Sequence, residues 1–176
     1  MSARILLQLD CDRQPSTFDA IVAVDAGAET LLRHGDVTPD NVVPLVHGAM
    51  FTRGGADLAS TAIFVGGSDV TAAEAVFDRV RRTFFGPVRV SVLLDPAGAN
   101  TTASAAVVAA GRHLPLGDPR APCRAVVLGG SGPVGQRVAR LLAGRGAAVT
   151  VASRTLTRAR ETCQRIVAAV PAGRLE

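Results

Sequence analysis

Lysine, tyrosine and tryptophan are absent from this 176-residue chain, so all 19 of its basic residues are arginine. The sequence therefore supplies no lysine or tyrosine catalyst. Its three cysteines, Cys11, Cys123 and Cys163, stand far apart without a C-x-x-C pair, which predicts neither a disulfide framework nor a zinc site. The three histidines also lack metal-ligand spacing, so no metal is predicted.

Long apolar runs and aromatic residues are also scarce. No run approaches the ~18 residues that a membrane span requires, and acids follow the first apolar residues where a signal peptide would stay apolar. The net charge is +4, but acids are interspersed and no nucleic-acid-reading motif occurs. These features predict a cytoplasmic protein with neither a membrane nor a nucleic acid as partner.

Apolar segments and capped, periodic segments alternate over the first two thirds of the chain. We predict three buried strands, each followed by a helix, with residues 27–40 as loop, a further helical stretch capped by residues 38–41, and a flexible loop at 52–57. The strands are 4–10, 60–67 and 88–95. This alternation indicates a parallel sheet with a binding crevice at the carboxyl ends of its strands, where Asp10, Gly66, Gly67 and Asp95 fall.

A proline-rich segment divides the chain. Residues 115–123 hold three prolines and a glycine, and are predicted to link a domain at 1–114 to a second α/β unit at 124–176. The predicted fold class is therefore α/β, with an N-terminal parallel-sheet domain followed by an incomplete Rossmann-type dinucleotide-binding domain.

The second unit carries a glycine-rich turn between a strand and a helix. Gly130, Gly132 and Gly135 give G-x-G-x-x-G, in which the glycines permit a tight turn, close approach of a pyrophosphate and close packing of helix on strand. The predicted cofactor-binding residues of this turn are Gly130, Ser131, Gly132, Pro133, Val134 and Gly135.

The end of the next strand favours NADP over NAD. An NAD site usually has Asp or Glu about 20 residues after the turn, whereas this chain has Ser153 and Arg154, with Arg158 a turn later. Arginine pairs well with a 2′-phosphate. The alternative is that both arginines merely begin a solvated helix.

Seven segments, in order and spacing, resemble the NADP-dependent methylene-tetrahydromethanopterin / methylene-tetrahydrofolate dehydrogenases. They are "PSTFD", "GDVTPDNV", "FTRGG", "STAIFVGG", "FFGPVRVSVLLD", "NTTA" and "GSGPVG", between residues 15 and 135. The resemblance implies a two-domain enzyme, assembled as a homo-oligomer, that oxidises the methylene group of a reduced pterin to the methenyl cation and passes hydride to NADP. It also implies roughly another hundred residues beyond this chain.

Such a reaction needs orientation and a tolerant electrostatic environment more than proton transfer. We therefore predict a site of strand-end carboxylates and nearby polar residues. The predicted catalytic residues are Asp10, Asp19, Asp95 and Thr102, and the predicted substrate contacts are Arg53, Gly54, Gly55, Asn100 and Thr101. Each has a structural alternative: strand-end aspartates cap loops, Asn100 is a plausible helix cap, and Arg53 could be solvated.

Two other functions remain open. The first is a truncated remnant that binds pterin and NADP without turnover. The second is a dehydrogenase of an unrelated small metabolite, which would make the N-terminal resemblance coincidental. The sequence does not distinguish tetrahydromethanopterin from tetrahydrofolate, because the two carriers share the reacting ring.

Overall fold

The first compact unit, Met1–Ala97, is built on a four-stranded parallel sheet. The computed structural model of the chain describes residues 2–118, 120–121, 123–170 and 174–175. The strands β1 (Ile5–Asp10), β2 (Thr30–His34), β3 (Thr61–Gly66) and β4 (Ser91–Leu94) lie in the order β2-β1-β3-β4. All three strand pairs are parallel, as the alternation of strands and helices predicts.

The helices of this unit are α1 (Thr17–Asp25), α2 (Val43–Phe51) and α3 (Val70–Thr83), with a short 3-10 segment at Gly55–Ser60. Ser16 caps α1, accepting from the Asp19 amide at 3.2 Å, and Asp69 caps α3. Val42 precedes α2 without a side-chain cap, so the prediction that residues 38–41 cap this helix is wrong. Asn41 Oδ1 instead accepts from the Thr38 amide at 2.8 Å and closes a turn.

Strand β2 corrects the prediction that residues 27–40 are loop. It is an edge strand and, among the described residues, pairs with β1 alone, from Ile5 opposite Thr30 to Leu9 opposite His34. None of its residues is fully buried. It therefore lacks the apolar run of the central strands, and its conformation depends on hydrogen bonds to a distant segment.

The second compact unit, Gly98–Glu176, is also parallel α/β. It holds β5 (Arg124–Val127), α5 (Pro133–Gly144), β6 (Ala148–Val151), α6 (Leu156–Ala169) and a two-residue β7 (Arg174–Leu175), with strand order β5-β6-β7. This β-α-β-α-β arrangement is the Rossmann-type half-domain expected from the sequence, and the predicted fold class is confirmed.

Helix α4 (Ala99–Gly111) packs with the second unit. Val107 of α4 belongs to the same buried cluster as Ala139 and Leu142 of α5. The sequence predicts this helix as part of a first domain ending at residue 114, whereas it packs within the second unit, Gly98–Glu176. Residues 119 and 122 of the proposed linker lie outside the described residues. No helix among the described residues is long and apolar enough to cross a membrane.

Candidate functional site

The three predicted catalytic carboxylates lie at the carboxyl end of the first sheet. Asp10 ends β1 opposite Gly66 at the end of β3, and Asp95 follows β4, its amide donating to the Val65 carbonyl at 3.0 Å. Asp19 lies in the first turn of α1, which follows the β1 loop. The parallel topology therefore brings together residues that are up to 85 positions apart in the sequence.

Asp10 organises the loop between β1 and α1. Its side chain is fully buried, with Oδ1 accepting from the Asp12 amide at 2.9 Å and Oδ2 from the Ser16 amide at 3.0 Å. Both carboxylate oxygens thus stabilise the backbone of the loop. The geometry agrees with the loop-capping alternative for Asp10, and its catalytic role stays a prediction.

The pKa of Asp19 lies above the usual value for an aspartate. Burial raises the pKa of Asp19, a hydrogen bond with the Ser16 side chain lowers it, and the neighbouring Asp10 and Asp95 carboxylates raise it. A β-carbon on Gly66 would lie 3.5 Å from Asp19 Oδ2 and 3.6 Å from Asp10 Oδ2. The two carboxylates therefore face the same stretch of bare backbone, where negative charge is concentrated.

Asp12 and Ser68 join the loops that follow β1 and β3, a link that the sequence analysis missed. Asp12 Oδ2 accepts from the Ser68 amide at 3.0 Å and Oδ1 from its hydroxyl at 2.8 Å. Gly67, which precedes Ser68, has a φ of +124°, and a β-carbon on it would lie 3.1 Å from the Cys11 β-carbon. Burial, and after it the charges of nearby aspartates, raises the pKa of the Cys11 thiol to about 11.

A second hydrogen-bond network, which the sequence does not predict, connects the loop after β1 to the edge strand β2. Gln8 is almost fully buried, and its Nε2 donates to the Ser16 carbonyl at 3.0 Å. Arg33 of β2 donates from Nε to Gln8 Oε1 at 2.9 Å and from Nη2 to the Pro15 carbonyl at 2.7 Å. A glutamine inside a buried strand is the signal that could have indicated this network.

The structure does not place Arg53, Gly54 and Gly55 with the carboxylates. Arg53 Nη1 donates to the Ala3 carbonyl at 2.7 Å, just before β1 begins. Gly54 and Gly55 lead into the 3-10 segment before β3. Arg53, Gly54 and Gly55 therefore lie near the amino end of the parallel strands, whereas Asp10 lies at the carboxyl end. Their substrate-binding role stays a prediction.

The glycine turn of the second unit has almost no room for side chains. A β-carbon on Gly130 would lie 2.7 Å from Val151 Cγ1, and one on Gly135 would lie 2.4 Å from the Gly129 carbonyl oxygen. At Gly132 the same oxygen would be 3.3 Å away. A side chain at Gly130 or Gly135 would therefore clash with the neighbouring strand or turn, which agrees with the tight turn and close packing of the motif. The approach of a pyrophosphate at Gly132 stays a prediction.

Helix α5 begins directly after this turn. Pro133 is the first helical residue and has no amide hydrogen, so the next amides of the first turn, at Val134 and Gly135, are the ones that a helix start leaves without an intrahelical acceptor. The Gln136 side chain donates to the Ser131 carbonyl at 2.7 Å and secures the turn. Such an arrangement can receive a pyrophosphate.

Ser153 and the two arginines lie where the sequence analysis expects a 2′-phosphate contact. The Ser131 and Ser153 hydroxyls are 2.7 Å apart, so the glycine turn contacts the segment that follows β6. Arg154 and Arg158 are exposed, and no described carboxylate forms an ion pair with either. Both guanidinium groups are accessible to an anionic ligand.

The predicted polar residues of α4 lie in its first turn, within the second unit. The N-cap is Gly98, with a φ of +63°, so the helix-cap alternative for Asn100 is wrong. Asn100 Oδ1 accepts from Arg137 Nε, and the Thr101 hydroxyl donates to the Gly98 carbonyl at 3.3 Å. Thr101 and Thr102 are exposed. Their roles at a substrate or nicotinamide stay predictions.

Known proteins similar to this chain agree with the resemblance. Residues 17–97 match the family model described as methylene-tetrahydromethanopterin dehydrogenase, N-terminal. Residues 17–97 belong to that family. The match covers α1, the first unit's β2, β3 and β4, and Asp19 and Asp95 of the carboxylate cluster.

Two proteins of Methylorubrum extorquens are similar to a larger part of the chain. Bifunctional protein MdtA is 53% identical over 107 residues, which are 61% of this chain and 37% of that protein. NAD(P)-dependent methylenetetrahydromethanopterin dehydrogenase is 35% identical over 136 residues, which are 76% of this chain and 46% of that protein. The chain thus spans less than half the length of these relatives.

Among the described residues, no group of three or more His, Cys, Asp or Glu is placed to hold a metal ion.

Proposed function

We propose that the chain takes part in NADP-dependent oxidation of methylene-tetrahydromethanopterin, or of methylene-tetrahydrofolate, to the methenyl form by hydride transfer. The observation that carries the cofactor half is the glycine turn, which leaves no space for a β-carbon at Gly135 and leads by way of Ser131 to Ser153 and Arg154. The family of residues 17–97 supports the pterin half.

The residues present divide the work between the two units. In the second unit, the amides at the start of α5 would hold the pyrophosphate, and Arg154 and Arg158 the 2′-phosphate. In the first unit, Asp10, Asp19 and Asp95 would give the negative surroundings that stabilise a developing methenyl cation. Hydride leaves the methylene carbon with its electron pair and reduces NADP, so no general base is needed for that step.

The first experiment separates binding from turnover. NADP and NAD affinities are measured by calorimetry, and turnover is followed as NADPH absorbance with each methylene pterin in turn. We expect binding of NADP in preference to NAD, and turnover with at least one pterin. NADP binding without turnover would favour the alternative, a non-catalytic pterin- and NADP-binding remnant. No binding of either nucleotide would refute the cofactor assignment.

Arg154→Ala tests the 2′-phosphate contact. Losing one charge-assisted contact to phosphate is expected to weaken NADP binding by about tenfold to a hundredfold, because such bonds contribute about 1.5–3 kcal/mol, and to leave NAD binding unchanged. Arg140→Ala is the matched control, since Arg140 is an exposed arginine on α5. Equal losses for NADP and NAD, or equal effects of the two variants, would contradict the assignment.

Assembly and location are further parts of the proposal. Exposed apolar side chains on α1, with Phe18 76% and Ile21 58% exposed, support association into a homo-oligomer. Analytical ultracentrifugation measures this directly, and a monomer at all concentrations would contradict it. We place the protein in the cytoplasm, with a reduced pterin rather than a nucleic acid or a membrane as its partner.

A further inference from the structure

Arg137 is a buried arginine in α5 that the sequence analysis did not single out. Only 8% of its surface is exposed. Its Nε donates to Asn100 Oδ1, and its Nη1 donates to the Pro133 carbonyl at 2.9 Å. One planar guanidinium therefore contacts the first turn of α4 and the first turn of α5 together.

The two hydrogen-bond acceptors of Arg137 lie at the starts of two helices. Pro133 is the first residue of α5 and directly follows the glycine turn. Asn100 lies in the first turn of α4, next to the exposed Thr101 and Thr102, in a helix whose N-cap, Gly98, gives no side-chain hydrogen bond. Arg137 thus joins the end of the cofactor turn to a helix start that has no side-chain cap of its own.

The other buried residues of α4 and α5 are small or apolar, among them Ala103 and Ala139. Burying a cation costs free energy, and side chains lean toward the helix N-terminus, where the helix dipole disfavours positive charge. Despite this cost in free energy, Arg137 is buried and forms hydrogen bonds to the starts of both helices. It is therefore well suited to fix the position of one helix start relative to the other.

We propose that Arg137 is a positioning residue for the cofactor site: through Asn100 and the Pro133 carbonyl it holds the start of α4 against the glycine turn. This rests on the proposed function, because it requires that the turn binds NADP. In this arrangement Asn100 acts through Arg137, and the turn is preorganised for the pyrophosphate, which lowers the cost of binding.

The experiment measures NADP affinity by calorimetry for the full chain and five variants: Arg137→Met, Arg137→Lys, Asn100→Ala, the double variant Asn100→Ala/Arg137→Met, and Arg140→Met. Urea midpoints are measured in parallel. We expect Arg137→Met and Asn100→Ala each to raise the NADP Kd by about tenfold, a usual size for coupling between contacting residues. The double variant should be no weaker than Arg137→Met.

Two variants separate positioning from charge and from general effects. Arg137→Lys keeps the charge but not the planar fork, so its Kd should stay near that of Arg137→Met. Arg140→Met removes an exposed arginine from the same helix and should leave the Kd within about twofold of the unmodified chain. A Kd restored by lysine would overturn the proposal, because charge alone would then suffice.

The remaining outcomes are also decisive. A purely structural role would lower the urea midpoint of Arg137→Met and Asn100→Ala but leave their NADP Kd unchanged, which overturns the proposal, as do additive effects in the double variant. If Arg137→Met does not fold, Asn100→Ala carries the same test. Failure of the unmodified chain to bind NADP refutes the proposed function, whereas binding that is insensitive to these variants refutes this inference alone.

Discussion

Gly135→Ala tests the cofactor turn most directly, because helix propensity and packing predict opposite signs. Alanine in a helix is favoured over glycine by about 1 kcal/mol. At Gly135, however, the new β-carbon would lie 2.4 Å from the Gly129 carbonyl oxygen and 2.8 Å from Gly130 Cα, where ordinary contacts begin at 3.4 Å. The helix or the turn must move by about 1 Å, and both obstacles are backbone atoms.

Overpacking of this kind costs about 1–3 kcal/mol, and rigid backbone places this site at the upper end. After the gain in helix propensity, we expect a net destabilisation of about 2 kcal/mol. With a urea m-value of about 2 kcal/mol per molar, the unfolding midpoint should fall by about 1 M. Displacement of the first turn should also raise the NADP Kd by about tenfold or more.

Gly144→Ala is the matched control on the same helix, since nothing lies within 4 Å of a β-carbon at Gly144. It should be neutral or stabilise the chain by about 0.5 kcal/mol. Urea unfolding followed by circular dichroism compares the two variants, and calorimetry gives NADP affinity. If both variants shift the midpoint in the same direction, or Gly135→Ala binds NADP normally, our reading of this turn is wrong.

Three further predictions concern the first unit. Asp10→Asn should lower the free energy of unfolding by about 2 kcal/mol in urea titrations, because one of two buried acceptors for the Asp12 and Ser16 amides becomes a donor; an unchanged midpoint would show that the loop does not need Asp10. Folding raises the pKa of Asp19, so the ionised carboxylate opposes folding. The contribution of the protonated carboxyl to stability is therefore complete below the usual Asp pKa and is lost as pH rises through the pKa of the folded chain. Asp19→Asn should therefore stabilise the chain more at pH 7 than at pH 3, and the reverse order would contradict the shift. Since burial raises the pKa of Cys11 to about 11, iodoacetamide at pH 8 should modify it more slowly in the folded than in the urea-unfolded chain, as peptide mass spectrometry can measure.

Local signals explain which elements the sequence predicts well. Ser16 and Asp69 are side chains that bond amides two or three residues away, so their helix starts can be predicted without knowledge of the rest of the fold. The glycine turn is equally local, because its geometry involves neighbouring backbone and the strand beside it. The convergence of Asp10 and Asp95 follows from one general rule, that parallel strands end at the same edge.

Long-range packing explains the rest. Residues 30–34 became a strand only by pairing with β1, and their sequence carries no buried apolar run. Arg53 looked available for a substrate, but its hydrogen bond goes to Ala3 at the other end of the sheet. No sequence spacing indicates that Arg137 would meet Asn100, because 37 residues separate them.

By itself, then, the sequence determined the alternation of the central strands with helices, the family resemblance and the glycine turn, since each depends on residue types at short spacing. The tertiary structure decided which polar groups each candidate residue meets: the loop amides at Asp10, the neighbouring carboxylates at Asp19, and Arg137 at Asn100. The physical reason is that hydrogen bonds and electrostatic shifts depend on distances of a few ångströms, which only the packed chain defines.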